Sequence, residues 1–332
     1  MTRSHRFPAV LAAAAAAAAL LSCSSAPKPP DGVYDERNRA AELAKMGDGF
    51  MAKGQYASAL QYYGDALKSG SSVDDLDGVA ASHASMGKAY FAAGETEAAK
   101  AEYEDSLDYA KMADSGSAQA IATEGLGEIA YAAGAKEEAL ASFEAAAALA
   151  GAAKAEKAGS GKALADRALA IALHDGAVAK AALGRGPEAI ADFETAQAMN
   201  LKAKRWTELG ANRFALASAL SGQGRGADAL SAALGALDAD KRAENARAVP
   251  GDLAAAAGLS ARLGKDAQAW GYWRRSFDSA LSVDDAASAR KALTALVELA
   301  PKLKKEADGA RYAALLAKLD EAEGKARGAD SP

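Results

Sequence analysis

Few side chains in this 332-residue chain have the type and spacing that covalent chemistry needs. Cys23 is its only cysteine, so no disulfide framework and no Cys/His nucleophilic pair is available. His83 falls on a helical face that packs against other helices and reads as a structural histidine. His174-Asp175 has no second histidine at helical spacing and no HExxH, so a zinc site lacks ligands there. Glu124 and Glu128, four residues apart, share one helical face. General acid–base work needs two carboxyls in different protonation states, and on a solvated helix this spacing is ordinarily a polar face. There is no GxSxG, and no glycine-rich phosphate loop follows a strand. Trp270-Gly271-Tyr272-Trp273-Arg274-Arg275 has the composition of a binding hot spot. Both tryptophans, however, occupy positions that are apolar elsewhere in the chain and belong to the core, which leaves Tyr272 and Arg275 to face a partner. The inventory points to binding, with no enzyme constellation, no cofactor and no metal.

The elements that carry these residues follow from a repeat. Glycines at Gly54, Gly94, Gly134, Gly184, Gly224 and Gly264 are each followed five residues later by alanine, at intervals of 40, 40, 50, 40 and 40. Seven residues before each anchor sits Gly47, Gly87, Gly127, Ala177, Ala217 or Ala257. Nine after it comes Tyr63, Tyr103, Phe143, Phe193 or Trp273, with Ala233 the exception. Apolar and small residues upstream of the anchor recur at three and four, as on one face of a helix. Glycine supplies the left-handed backbone that ends a helix, and a second helix starts two or three residues on. Pro187 suits a first helical turn, and Asp266 is placed as an N-cap. Small residues let two helix axes approach, and the aromatic fills the wedge between them.

This order of small residues and aromatics around a mid-repeat glycine resembles the tetratricopeptide repeat (TPR) family, over about Leu43 to Leu281. The unit is longer than the usual ~34 residues and is similar to the long-helix arrays of kinesin light chain. The resemblance implies an all-α, right-handed solenoid of about six helix–turn–helix repeats plus capping helices. Breaks between units are expected at Ser69–Ser72, Asp114–Ser117, Asp238–Asp240 and Val249–Gly251, where Ser, Gly, Asp and Pro concentrate. The 50-residue interval implies an overlong second helix in the third repeat, then a flexible joint near 151–161. Trp206-Thr207-Glu208-Leu209-Gly210 mimics the family's first-helix signature, but 14 residues upstream of the anchor, and is a decoy for the register. Ser282–Ala286 echoes Ser72–Leu76, so a seventh first-helix should run from about Asp285 to Ala300, followed by a charged helix from about Lys302 to Gly324. Such a pair would give the array its polar end cap.

In that family the first helices line an inner groove, with positions ten, six and three before the anchor exposed. Here these include Asp48 and Met51, Lys88 and Phe91, Glu124, Glu128 and Tyr131, His174, Val178 and Ala181, then Phe214, Ser218 and Ser221, and Ala254, Gly258 and Ala261. The basic set with which some relatives clamp a peptide carboxylate is missing. The candidate peptide-binding residues are instead Met51, Phe91 and Tyr131 as an apolar stripe, rimmed by Lys88, Glu124 and Glu128, suited to an extended or helical peptide. Longer helices burying the stripe is the competing reading.

The ends place the chain. Residues 1–22 read as an export signal: Arg3 and Arg6, then an apolar run from Phe7 to Leu21, too short for the ~20 residues of a span. Leu20-Leu21-Ser22-Cys23 resembles the lipobox of bacterial lipoproteins, which implies a diacylglycerol on Cys23 and usually an N-acyl chain such as palmitate, a firm membrane anchor. Ordinary secretion is the alternative. Residues 23–35 would be a flexible tether, 36–281 the six repeats, 282–327 the capping helices and 328–332 a disordered tail. Without an aspartate at Ser24, family sorting favours the outer membrane, facing the periplasm, if the source has two membranes. Removing Arg3 and Arg6 makes the formal charge of −5 two units more negative, and no basic stripe with aromatics offers itself to nucleic acid. With 50% hydrophobic residues but only 6% aromatics, the chain can fill a long thin core rather than a globular one. The expected function is a lipid-anchored envelope scaffold binding proteins or peptides, assisting assembly or organisation of an envelope complex. The alternative is a substrate-binding accessory of a transporter, which needs an enclosed pocket.

Overall fold

The computed structural model describes residues 32–156 and 160–329. The export signal, Cys23, most of the tether, part of the joint and the last three residues of the tail lie outside the described residues. Six helix pairs follow one another: α1 Gly32–Met51 with α2 Tyr56–Ser72, α3 Leu76–Ala93 with α4 Thr96–Met112, and α5 Gly116–Ala132 with α6 Lys136–Glu156. Then come α7 Ser160–Ala182 with α8 Gly186–Ala203, α9 Trp206–Gly222 with α10 Gly226–Arg242, and α11 Val249–Arg262 with α12 Asp266–Ser282. After them α13 Ala286–Leu299, a 3₁₀ turn Pro301–Leu303 and α14 Glu306–Ala329 close the end. There is no strand among the described residues, and the chain is an all-α TPR-type solenoid.

The anchors behave as their type demands. All six glycines have positive φ, between 70° and 84°. The N–H one residue beyond each bonds back to the carbonyl four before it, as in Glu95 N to Tyr90 O at 2.9 Å and Arg185 N to Lys180 O at 2.8 Å. That is the capping bond of a left-handed helix end. Twenty residues after the anchors the device recurs without glycine: Asp74, Asp114, Lys204, Glu244 and Asp284 have φ of 50–57°, as does Lys304 beyond them. Asp75 N to Gly70 O and Asn245 N to Asp240 O carry the matching bonds. The third repeat skips this stop, because α6 runs on to Glu156.

These stops correct several boundaries. Ser69–Ser72 and Asp238–Asp240 lie inside α2 and α10, and Val249–Gly251 opens α11; the turns sit just beyond, at 73–75 and 243–248. Helix α1 starts at Gly32 rather than Glu36. Lys265 is the N-cap of α12, while Asp266 is its first residue, where a carboxylate complements the helix dipole. Asp285 does cap α13, accepting from Ser288 N at 2.9 Å. The last helix starts at Glu306 instead of Lys302, because Pro301 directs a 3₁₀ turn.

The core is a thin seam. Ala59, Ala99, Ala139, Ala189, Ala229 and Ala269 are all fully buried, as close helix approach requires. Each early aromatic lies on the glycine of its own first helix: a Cβ on Gly47 would come 2.4 Å from the Tyr63 ring, on Gly87 3.0 Å from Tyr103, and on Gly127 2.7 Å from Phe143. Tyr103 also reaches forward, 2.3 Å from a Cβ placed on Gly125 of the next repeat, and so ties the two repeats together. Trp270 and Trp273 are buried with Leu293, Leu296 and Tyr312, where the cap helices meet the array. First helices of neighbouring pairs touch along the array at α1–α3, α3–α5, α5–α7, α7–α9 and α11–α13. No comparable contact joins second helices, so the first helices form the inner wall. Between α9 and α11 the helix backbones approach less closely, and Leu216, Ala217 and Leu220 share a buried cluster with Ala256 and Leu259.

Candidate peptide groove on the inner helices

Two clefts of about 520 and 420 Å³ run along the inner wall of the C-terminal half. The first lies between α7 and α9, lined by Val178, Ala181, Phe193, Phe214, Ser218 and Gln223. The second continues between α9 and α11, past Ser221, Ala255 and Leu259 to Arg262. Phe214 stands in both and is 44% exposed, a large apolar group held in water on a rigid helix. Val178, Ala181, Phe214, Ser218 and Ser221 are positions the repeat register assigned to the groove. In the last repeat the register slips by one: Ala254 is buried, and Ala255, Leu259 and Arg262 line the cleft instead. A third cleft of about 340 Å³ lies between α3, α5 and the start of α7, with Asp77 and Leu164 at its rim.

The expected apolar stripe is less exposed than the register suggested. Met51 is half-buried against Ala59, Tyr63 and Ala89, and Tyr131 against Ala139, Leu140 and Phe143. Phe91 is half-buried as well. Asp48 is engaged too, since Tyr63 Oη donates to its Oδ1 at 2.8 Å.

The rim residues, by contrast, converge. Glu124 and Glu128 of α5 meet Asp175 of α7, with Lys88 of α3 near enough for its charge to act on all three. Glu124 and Asp175 share a hydrogen bond. Burial, then the charges of Glu128 and Asp175, hold Glu124 well above the usual carboxylate range. Burial lifts Glu128 as well, opposed by Lys88. Asp175 is raised to about 7, by burial first and then by Glu128. The pair is therefore no solvated polar face. Sequence reasoning missed Asp175, treating it as the partner of a failed zinc site, because it lies one residue beyond the groove position that His174 fills. Among the described residues, no backbone amide, hydroxyl or basic side chain donates to these three carboxyls, and no group of His, Cys, Asp and Glu is arranged to hold a metal.

The two histidines among the described residues are held in structural contacts. His83 Nδ1 lies 2.8 Å from Glu102 Oε2 and its ring stacks on Tyr109. His174 Nδ1 accepts from Asn212 Nδ2 at 3.2 Å, and burial pushes its pKa down to about 4, so it is neutral at ordinary pH. The decoy stretch has a place of its own: Trp206 opens α9 beneath the Arg242 guanidinium at 5.0 Å, and Gly210 makes room for the Asp240 carboxyl. Tyr272 is half-buried with Arg275 over its ring at 5.5 Å, away from the clefts.

No family model matches the chain, and no curated protein matches it. Solved structures do. The apo form of RapI superposes with a TM-score of 0.65 at 11% identity, over 84% of this chain and 76% of that one. A signal-transduction ATPase of the STAND type with a tetratricopeptide repeat sensor, from Pyrococcus horikoshii, gives 0.61 at 12% identity, over 87% of this chain and 45% of that one. A Rap protein complexed with competence and sporulation factor gives 0.58 at 16%, over 86% and 76%. At these identities the likeness is one of fold.

Proposed function

We propose that this chain is a non-enzymatic scaffold that holds a peptide segment of another protein along its inner helices, anchored by lipid in a bacterial envelope. The observation that carries the binding is Phe214, a phenylalanine 44% exposed that lines both adjoining clefts along the first helices. An exposed aromatic in a preformed groove is where a peptide gains most per residue buried. An open cleft favours this reading over a transporter's enclosed substrate pocket. That one structural neighbour is solved in complex with a factor agrees with a binding role. The anchoring rests on Leu20-Leu21-Ser22-Cys23, and the role in assembling or organising an envelope complex follows from that placement.

A photo-crosslinking amino acid at Ser218, in the groove, should capture partners in cells, and one at Glu137, exposed on an outer helix, should not. Capture from Glu137 alone would refute the groove. Metabolic labelling with a clickable fatty acid should mark the wild type and leave Cys23→Ala unmarked; equal label in both would remove the lipid anchor.

A further inference from the structure

Two features of the inner wall are linked along α7, and together they specify more than a groove. The first is the cleft between α7 and α9, whose apolar wall begins at Val178 and faces Phe214. The second is the carboxyl trio, which ends at Asp175, one helical turn before Val178 on the same helix. Its nearest charged and titratable neighbours are Lys88 of α3 and Tyr103 of α4. Apart from the hydrogen bond that Glu124 and Asp175 share, these three half-buried carboxyls receive none from a backbone amide, hydroxyl or basic side chain among the described residues, and one exposed lysine, Lys88, is there to balance them. Buried carboxylates are normally paired with a cation or met by several donors. Here the protein supplies the acceptors, and the cation is left for something else to bring.

Resting on the groove reading above, we infer that the partner segment carries a lysine or arginine beside a bulky apolar residue, the cation seated among Glu124, Glu128 and Asp175 and the apolar side chain against Phe214. Charge complementarity selects this occupant: an acidic segment would add to an unbalanced negative cluster, and a purely apolar one would leave it unpaired. A guanidinium suits the site well, because its fork can serve two carboxylates at once. Seating a cation also favours the ionised forms, so binding displaces the protons that the carboxyls otherwise share.

The test is panning of a phage-displayed random heptapeptide library on the full chain, followed by titration of the best sequence as a synthetic peptide. Enrichment of Lys or Arg next to Leu, Phe or Trp is expected. Replacing that basic residue by norleucine should weaken binding to the wild type at least about tenfold, a comparison that does not depend on any protein variant folding. Glu128→Gln should bring the two peptides within about twofold of each other, and the preference for the basic peptide should grow from pH 6 to pH 8. Enriched apolar or acidic sequences without a basic residue, or a basic preference unmoved by both Glu124→Gln and Glu128→Gln, would overturn the inference and leave the groove standing. No enrichment, or binding indifferent to Phe214→Ala, would overturn the groove reading along with it.

Discussion

Asp240→Asn should make the C-terminal half of this protein more stable at pH 8 while changing it little at pH 5. Asp240 of α10 and Asp252 of α11 are 3% and 2% exposed, and their carboxyls hydrogen bond to each other. Asn245 Nδ2 donates to Asp240 Oδ1 at 2.7 Å, but Asp252 Oδ2 has no donor. Two carboxyls in contact without a donor are held by a shared proton. Burial first, then Asp240, raises Asp252 to about 8, against ~3.9 in an unfolded chain. Between those values the folded state binds one more proton than the unfolded state. Stability is therefore greatest below the unfolded value and falls as pH rises towards 8, by ~1.4 kcal/mol per unit. From pH 5 to pH 8 that amounts to about 4 kcal/mol as an upper figure. An asparagine at 240 keeps its oxygen for Asn245 and offers its amide hydrogens to Asp252, so the proton is no longer needed.

Tryptophan fluorescence during urea unfolding reads the right region, since Trp206, Trp270 and Trp273 all lie in the fifth and sixth repeats. In a repeat array each segment unfolds on the strength of its own units and interfaces. The wild-type midpoint should fall by more than about 1 M urea from pH 5 to pH 8, and that of Asp240→Asn by distinctly less. Asp175 and Glu124 titrate in the same window, but they are present in both proteins and cancel in the difference. Parallel curves for the two proteins would refute the shared proton.

Gly125→Ala should destabilise the array by ~1–3 kcal/mol, because its Cβ would sit 2.3 Å from the Tyr103 ring. Gly271→Ala, in mid-helix with nothing within 4 Å of the added Cβ, should stabilise it by ~0.5–1 kcal/mol; thermal melts followed by circular dichroism compare the two. Ala139→Leu, at a fully buried close approach, should cost ~1–3 kcal/mol, and Glu137→Ala on the exposed side of the same helix little, by the same melts. Gly94→Ala should cost about 1 kcal/mol, since φ of 84° strains any residue with a Cβ, whereas Asp114→Gly, at φ of 50°, should be neutral or stabilising in urea unfolding.

The parts of the fold legible in the sequence are those where backbone geometry leaves one residue type. A left-handed helix end inside each repeat selects glycine, and the contact five residues later admits only alanine, so both positions announced themselves. The stops between repeats use the same geometry at lower φ, where Asp, Lys and Glu are tolerated, and a position that accepts three residue types leaves no repeat to notice. Three of the site's four charged members, Lys88, Glu124 and Glu128, fell on groove positions by register alone. Asp175 did not, because it sits beside the register position that His174 fills, and only the approach of α5 to α7 turns it towards Glu124.

The same reasoning explains why the apolar anchor lies at Phe214 and not on the stripe of Met51, Phe91 and Tyr131. A residue three before the anchor sits at the end of a first helix, where the second helix folds straight back over it. Met51 and Leu60 pack together against the cluster of Ala59 and Tyr63, and Tyr131 against that of Ala139, Leu140 and Phe143, all from the second helix of the same repeat. A residue ten before the anchor sits near mid-helix, beyond the turn, and only the neighbouring first helix can cover it. Four of the six repeats avoid a large apolar group there, with Ala44, Ala84, Glu124 and Ala254, and His174 is tied to Asn212. Phe214 is the exception, and it stands at the cleft between α9 and α11, where it stays 44% exposed. A phenylalanine left uncovered in a preformed cleft, at a position where the other repeats place a small or polar residue, is best accounted for by a partner that covers it.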